Sequence, residues 1–150
     1  MKLLYTFFLL IAFTISSTAF AQSFDFKFDH QAIIVKDIKV SGDFYVNILH
    51  LKEIFHPEKK PGFRWFTVNG NTQIHLIEKD GADFKKNKSV HLCLATKNLD
   101  AIIKHLERNK VSYYDWPGKE NTVTLRADGV HQIYLQDVDG YWIEINDAPH

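Results

Sequence analysis

From Phe28 onward, apolar and polar residues alternate in short runs, interrupted twice by stripes that recur every three to four positions. Residues 30–35, His-Gln-Ala-Ile-Ile-Val, predict a strand, and residues 40–50 predict a helix with Phe44, Tyr45, Ile48 and Leu49 on one face. Three strands follow at 52–56, 64–69 and 72–78, the last two joined by Asn69-Gly70, a strong two-residue hairpin signal. The polar stretch 79–88 then serves as a linker. Beyond it, residues 90–95 alternate as a strand, and Leu99, Ile102, Ile103 and Leu106 form a helical stripe with Asn98 placed to cap it. Strands are predicted at 111–115, 122–127, 131–136 and 141–146, with tight turns at Asp128-Gly129 and Asp139-Gly140.

The two halves share one order of elements, β-α-β-β-β, and comparison position by position strengthens the likeness. His30 and His91 both open a first strand, and Lys36-Asp37-Ile38 and Lys97-Asn98-Leu99 follow six residues later. In the last strands, Ile74-His75-Leu76 corresponds to Ile143-Glu144-Ile145. The spacing grows between these two matches, which places an insertion in the second half near 116–121. The fold class expected is α+β, built as two βαβββ modules, module one over about 28–79 and module two over about 89–147.

Because residues i and i+2 of a strand share a face, His91 groups with Cys93, His75 with Gln73, and Glu144 with Trp142 and Asn146. The intervening Leu and Ile residues suit a face covered by helices, so the polar set projects to the other side. His30, His75, His91 and Glu144 thus occupy two equivalent kinds of position and converge if the halves pair their sheets. Three imidazoles and a carboxylate suit one divalent ion, Zn, Ni, Fe(II) or Mn, with room for external ligands. His131, which opens a strand just after the Asp128-Gly129 turn, is a candidate for facing the same cavity.

Composition narrows the setting. Lys+Arg 18 balance Asp+Glu 18, so the chain lacks the basic surface that phosphate backbones attract, and no nucleic-acid partner is expected. The lone Cys93 excludes an internal disulfide or a multi-cysteine zinc site. Lys2, the uncharged run 3–15 and the Ala19-Phe20-Ala21 ending have the layout of a secretory signal peptide over 1–21. The strongly apolar stretch is shorter than the roughly 20 residues a spanning helix needs. The expectation is therefore a secreted or periplasmic protein with no stable membrane anchor after cleavage, and homodimer formation through unmatched strand edges is open.

The run Asp137-Val138-Asp139-Gly140-Tyr141-Trp142-Ile143-Glu144-Ile145 is similar to the Asp-Pro-Asp-Gly turn and ligand-bearing strand of the vicinal oxygen chelate superfamily, with Val138 in place of Pro. His30-Gln31-Ala32-Ile33-Ile34-Val35-Lys36-Asp37 resembles the opening strand of that family, which includes glyoxalases, bleomycin-resistance proteins and extradiol dioxygenases. The likeness spans about residues 28–147 and implies a half-barrel cavity in which a metal chelates adjacent oxygens of a small-molecule substrate. It further implies that the ion acts as a Lewis acid and that a nearby carboxylate moves a proton, here Glu144, with His131 as a second candidate catalytic residue. His75 stands where glyoxalase and epimerase members commonly carry Glu or Gln, which argues against a mechanism needing two carboxylates. The leading expectation is a glyoxalase-like metal-dependent lyase or isomerase. The alternatives are an Fe(II) extradiol-type dioxygenase and a non-catalytic small-molecule binding (resistance) protein.

Overall fold

A computed structural model describes residues 25–81 and 85–149, so the expected signal peptide at 1–21 lies outside the described residues. Asp37 starts the first helix two residues earlier than the apolar stripe suggests. Its backbone is extended at φ −137°, and its Oδ1 accepts the amides of Lys39 (2.8 Å) and Val40 (2.9 Å), donors that a helix start otherwise leaves unpaired. The elements of module one are β1 (His30–Val35), α1 (Ile38–Asn47), β2 (Lys52–Ile54), β3 (Phe63–Thr67) and β4 (Gln73–Glu78). Those of module two are β5 (His91–Ala95), α2 (Leu99–Arg108), β6 (Thr124–Leu125), β7 (His131–Gln136) and β8 (Trp142–Asn146).

Each module folds into one four-stranded sheet, in the orders β1-β4-β3-β2 and β5-β8-β7-β6. The first and last strands of each module run parallel, which the intervening helix makes possible by carrying the chain back across the sheet. The register repeats as well. Ala32 pairs with His75 and His75 with Trp65, while Cys93 pairs with Glu144 and Glu144 with Tyr134. These rows are related by the same spacings that the sequence comparison uses, so the duplication extends to the hydrogen-bond ladder.

Alternation then sorts the side chains as expected. Ile33, Val35, Phe66, Ile74 and Leu76 from the first sheet, and Ile133, Leu135, Ile143 and Ile145 from the second, are buried in one core with Phe44, Tyr45, Leu99 and Leu106 of the helices. The two sheets form separate ladders and do not close into a barrel.

Two expectations in module two need correction. The strand expected at 111–115 survives only as a bridge at Tyr114, which exchanges backbone bonds with Tyr134 (2.7 and 2.8 Å), and the strand at 122–127 shrinks to Thr124–Leu125. The inserted segment turns on itself instead: Asp115 Oδ1 accepts the amides of Gly118 (2.8 Å) and Lys119 (2.6 Å), so that backbone cannot feed a ladder. Asn98 does stand at the start of α2, but its side chain makes no cap bond.

The modules are joined through the β7–β8 turn. Asp137 Oδ1 accepts the amides of Asp139 (3.0 Å) and Tyr141 (2.8 Å), and its Oδ2 accepts the hydroxyl of Tyr45 on α1 (3.1 Å). Asp139 accepts the Lys36 amide (2.9 Å) and the Ser41 hydroxyl (2.5 Å), while Tyr141 donates its hydroxyl to the Ile34 carbonyl (2.9 Å). Asp139→Ala removes the acceptor of the buried Ser41 hydroxyl and one acceptor from Lys36 and is expected to lower stability by about 1–3 kcal/mol, read as a shifted urea midpoint with unchanged slope.

Candidate metal site

On the face of module two opposite the core, β7 presents Gln132 and Tyr134, β8 presents Trp142, Glu144 and Asn146, and β5 presents His91 and Cys93. Glu144 is buried at their centre and its carboxylate is enclosed by donors. Its Oε2 accepts the Tyr134 hydroxyl (2.7 Å), and its Oε1 accepts the Asn146 amide (2.8 Å) and the Cys93 thiol (3.4 Å). Tyr134 in turn accepts from Gln132 Nε2 (2.7 Å), and Arg126 holds Nη1 3.9 Å from Oε1. Burial pushes the Glu144 carboxyl up, but the bonds from Asn146, Tyr134 and Cys93 and the His91 charge outweigh it, so it titrates below the ordinary value. The same enclosure works against the other acids: burial, then the Glu144 charge, drives the Cys93 thiol up to about 11. Tyr134 is raised as well, by burial first and then by its bond to Glu144.

His91 completes the cluster. Its Nδ1 lies 2.7 Å from the Lys88 carbonyl, which only accepts, so the ring proton belongs on Nδ1. Nε2 then faces Glu144 Oε2 at 3.1 Å, as an N–H donor when the ring is protonated and with a lone pair when it is neutral. A lone pair opposed to a carboxylate at this distance asks for a positive charge between them, a proton or a metal ion. A protonated His91 satisfies the contact as it stands, and a neutral His91 together with Glu144 offers two donors to a cation.

The other two expected ligands pair within module one. The His30 and His75 rings stack with centroids 4.2 Å apart at 15°, and His75 stacks on Trp65 at 3.9 Å and 7°, with His56 tilted over the other side of Trp65 at 4.5 Å. His30 Nδ1 meets Asp29 Oδ2 at 2.6 Å. His75 Nε2 meets Gln73 Oε1 at 2.8 Å, which puts its proton on Nε2 and its lone pair on Nδ1. Burial and the positive charges of His30 and His56 lower the His75 pKa, against an opposing effect of Asp29. The structure thus brings together His91 with Glu144, and His30 with His75. Among the described residues no group of three or more His, Cys, Asp or Glu side chains is arranged to hold an ion. Stacked imidazoles direct their in-plane lone pairs along parallel planes, so joining His30 and His75 to one ion requires at least one ring to turn.

His131 does not join the network. It shares the parity of Ile133 and Leu135 on β7, opposite Tyr134, and its Nδ1 meets Asp147 Oδ2 (3.0 Å) beside the start of α2. Sequence reasoning passed over Gln132 and Tyr134, although the β7 alternation and the equivalence of Tyr134 to Trp65 both point to them. No local pattern marks Lys88 or Arg126, which reach the site from loops.

The sequence model of the Glyoxalase/Bleomycin resistance protein/Dioxygenase superfamily matches residues 27–145. The chain belongs to this superfamily. Among curated relatives of this glyoxalase-superfamily chain, the mitochondrial methylmalonyl-CoA epimerase of Homo sapiens is 29% identical over 136 residues, covering 81% of the chain and 74% of the relative. A solved glyoxalase family protein from Bacillus anthracis superposes with a TM-score of 0.70 at 21% identity, over 86% of the chain and 100% of that protein. The solved oxidase ChaP-H2 superposes at 0.66 with 18% identity, over 85% and 97%. At such identities the two solved structures establish a common fold of paired βαβββ modules, while the chemistry a glyoxalase-superfamily member performs depends on its own site.

Two outcomes test the electrostatics of the site. A carboxyl lowered in the folded state adds stability above its unfolded pKa and loses it as pH falls through the folded pKa. Acid titration of unfolding free energy is therefore expected to be shallower for Glu144→Gln than for the unsubstituted protein. The Cys93 thiol at about 11 is expected to alkylate slowly at pH 8 compared with a free cysteine, with the iodoacetamide rate rising only as pH approaches that value.

Proposed function

We propose that the chain is a metal-dependent lyase or isomerase acting on a small molecule that chelates the ion through adjacent oxygens. The opposition of His91 Nε2 and Glu144 Oε2 at 3.1 Å, with Nδ1 tied to a carbonyl, carries this reading. His91 and Glu144 are the ligands from module two, and His30 and His75 those from module one. Bound there, a divalent ion would supply Lewis acidity, polarising the substrate's oxygens and acidifying the neighbouring C–H. The methylmalonyl-CoA epimerase relative supports an isomerase-like proton transfer, and His75 at the first-module position separates this chain from schemes with two carboxylates.

The chain's own groups divide the remaining work. The Lys88 carbonyl fixes the tautomer and plane of His91. Asn146 and Tyr134 hold Glu144 as an oriented, ionised carboxylate and lower its basicity, so proton acceptance by Glu144 relies on a strongly acidified substrate. Burial and neighbouring imidazoles favour neutral His75, whose Nδ1 lone pair is available to a cation or a proton. We further assign residues 1–21 to a signal peptide that sends the enzyme to the periplasm or the medium.

Metal analysis of the mature chain purified without chelators provides the test. One divalent ion per chain is expected, with affinity falling at least about tenfold in His91→Ala and in His75→Ala. Glu144→Gln is expected to be nearly inactive even where metal remains. A protein that binds no divalent ion overturns the reading.

A further inference from the structure

Lys88 reaches over the same face of module two as Glu144. Its Nζ stands 4.7 Å from the ring centre of Trp142, 5.1 Å from Tyr134 and 5.9 Å from Trp116, and donates to the carbonyls of Asp115 (2.9 Å) and Trp116 (3.2 Å). Trp142 neighbours Glu144 on the same face of β8, and the Tyr134 hydroxyl bonds Glu144, so the ammonium overlooks the site itself. Two of its three N–H groups are thereby used, and among the described residues no carboxylate forms an ion pair with it. Arg126 stands on the far side of Glu144, with Nη2 bonded to Asp128 (2.6 Å) and Nη1 3.9 Å from Oε1.

A partly desolvated ammonium with no carboxylate of the described residues within ion-pairing distance is costly, and cation–π contact offsets only part of that cost. A neutral oxygen can accept the third N–H, as the Asp115 and Trp116 carbonyls accept the other two, but leaves the charge unbalanced, and a cationic ligand would meet like charge inside an aromatic cage that is already filled. An anion removes both penalties. One available ammonium donor, with a guanidinium already half engaged by Asp128, matches the single charge of a carboxylate better than a phosphate with its higher charge and three acceptor oxygens. We propose that the substrate of the Glu144 site is a small carboxylate and that Lys88 is the residue that selects its charge. This rests on the Glu144 face being the substrate site, as proposed above.

Glycolate and glycolamide form a matched probe pair, both with adjacent oxygens and differing in charge. Titration calorimetry on the metal-loaded protein is expected to show glycolate binding at least about tenfold tighter than glycolamide, with the preference lost in Lys88→Gln and kept in Lys88→Arg. Inorganic phosphate is expected to compete more weakly than glycolate. Equal affinities for the two probes in the unsubstituted protein, no glycolate binding, or a preference that persists in Lys88→Gln overturns the inference, and phosphate binding more tightly than glycolate overturns the choice of carboxylate. Metal content measured on the same samples separates the two proposals. A preference shown by a protein that binds no divalent ion defeats the metal-dependent reading alone, and metal-loaded protein without a preference defeats this one alone.

Discussion

The turn carrying Asp137 and Asp139 is the point on which the arrangement of the two modules depends. Asp137 spends one oxygen on its own turn and the other on Tyr45 of the opposite module, and Asp139 takes a backbone amide and a hydroxyl from the start of α1. Burial pushes the Asp137 carboxyl up in spite of those bonds, so the junction is held at an electrostatic cost that its hydrogen bonds must offset. The same turn launches β8, whose third residue is Glu144. The contact that docks the halves therefore also sets where the acidic side chain enters the concave face.

Duplication produced two faces of equal register and unlike chemistry. In the row where module two sets Cys93, Glu144 and Tyr134, module one sets Ala32, His75 and Trp65. The first combination is a hydrogen-bonded network that fixes a charge in place. The second is a run of aromatic contacts, His30 and Trp65 stacked on His75 and His56 tilted against Trp65, with His75 bonded to Gln73 and His30 to Asp29 rather than to one another. The same asymmetry explains why His91 and Glu144 already oppose each other while His30 and His75 stack instead.

Much of this was legible in the chain. Alternation identified the buried and open faces of β1, β4, β5 and β8, because one buried face imposes a period of two on every strand it contains. It failed over 111–127, where Asp115 turned the inserted segment back on itself and left Tyr114 as a bridge. His131 carries the parity of Ile133 and Leu135, and the structure places it on the helix side, bonded to Asp147. Asn98 shows a similar limit, since a residue type suited to capping does not by itself make the bond.

The sequence by itself determined the two-module βαβββ plan, the family, and the faces on which His30, His75, His91 and Glu144 stand, since these follow from local periodicity and repetition. Tertiary structure alone decided that Lys88 fixes His91 through a carbonyl while its ammonium fills a cage of three aromatic rings, and that Arg126 approaches Glu144. The Lys88 carbonyl reaches only three residues ahead, but the cage and the Arg126 approach join loop residues to strand residues far apart in the chain. No periodicity encodes them; they exist only once the packed sheets bring the loops to the same face.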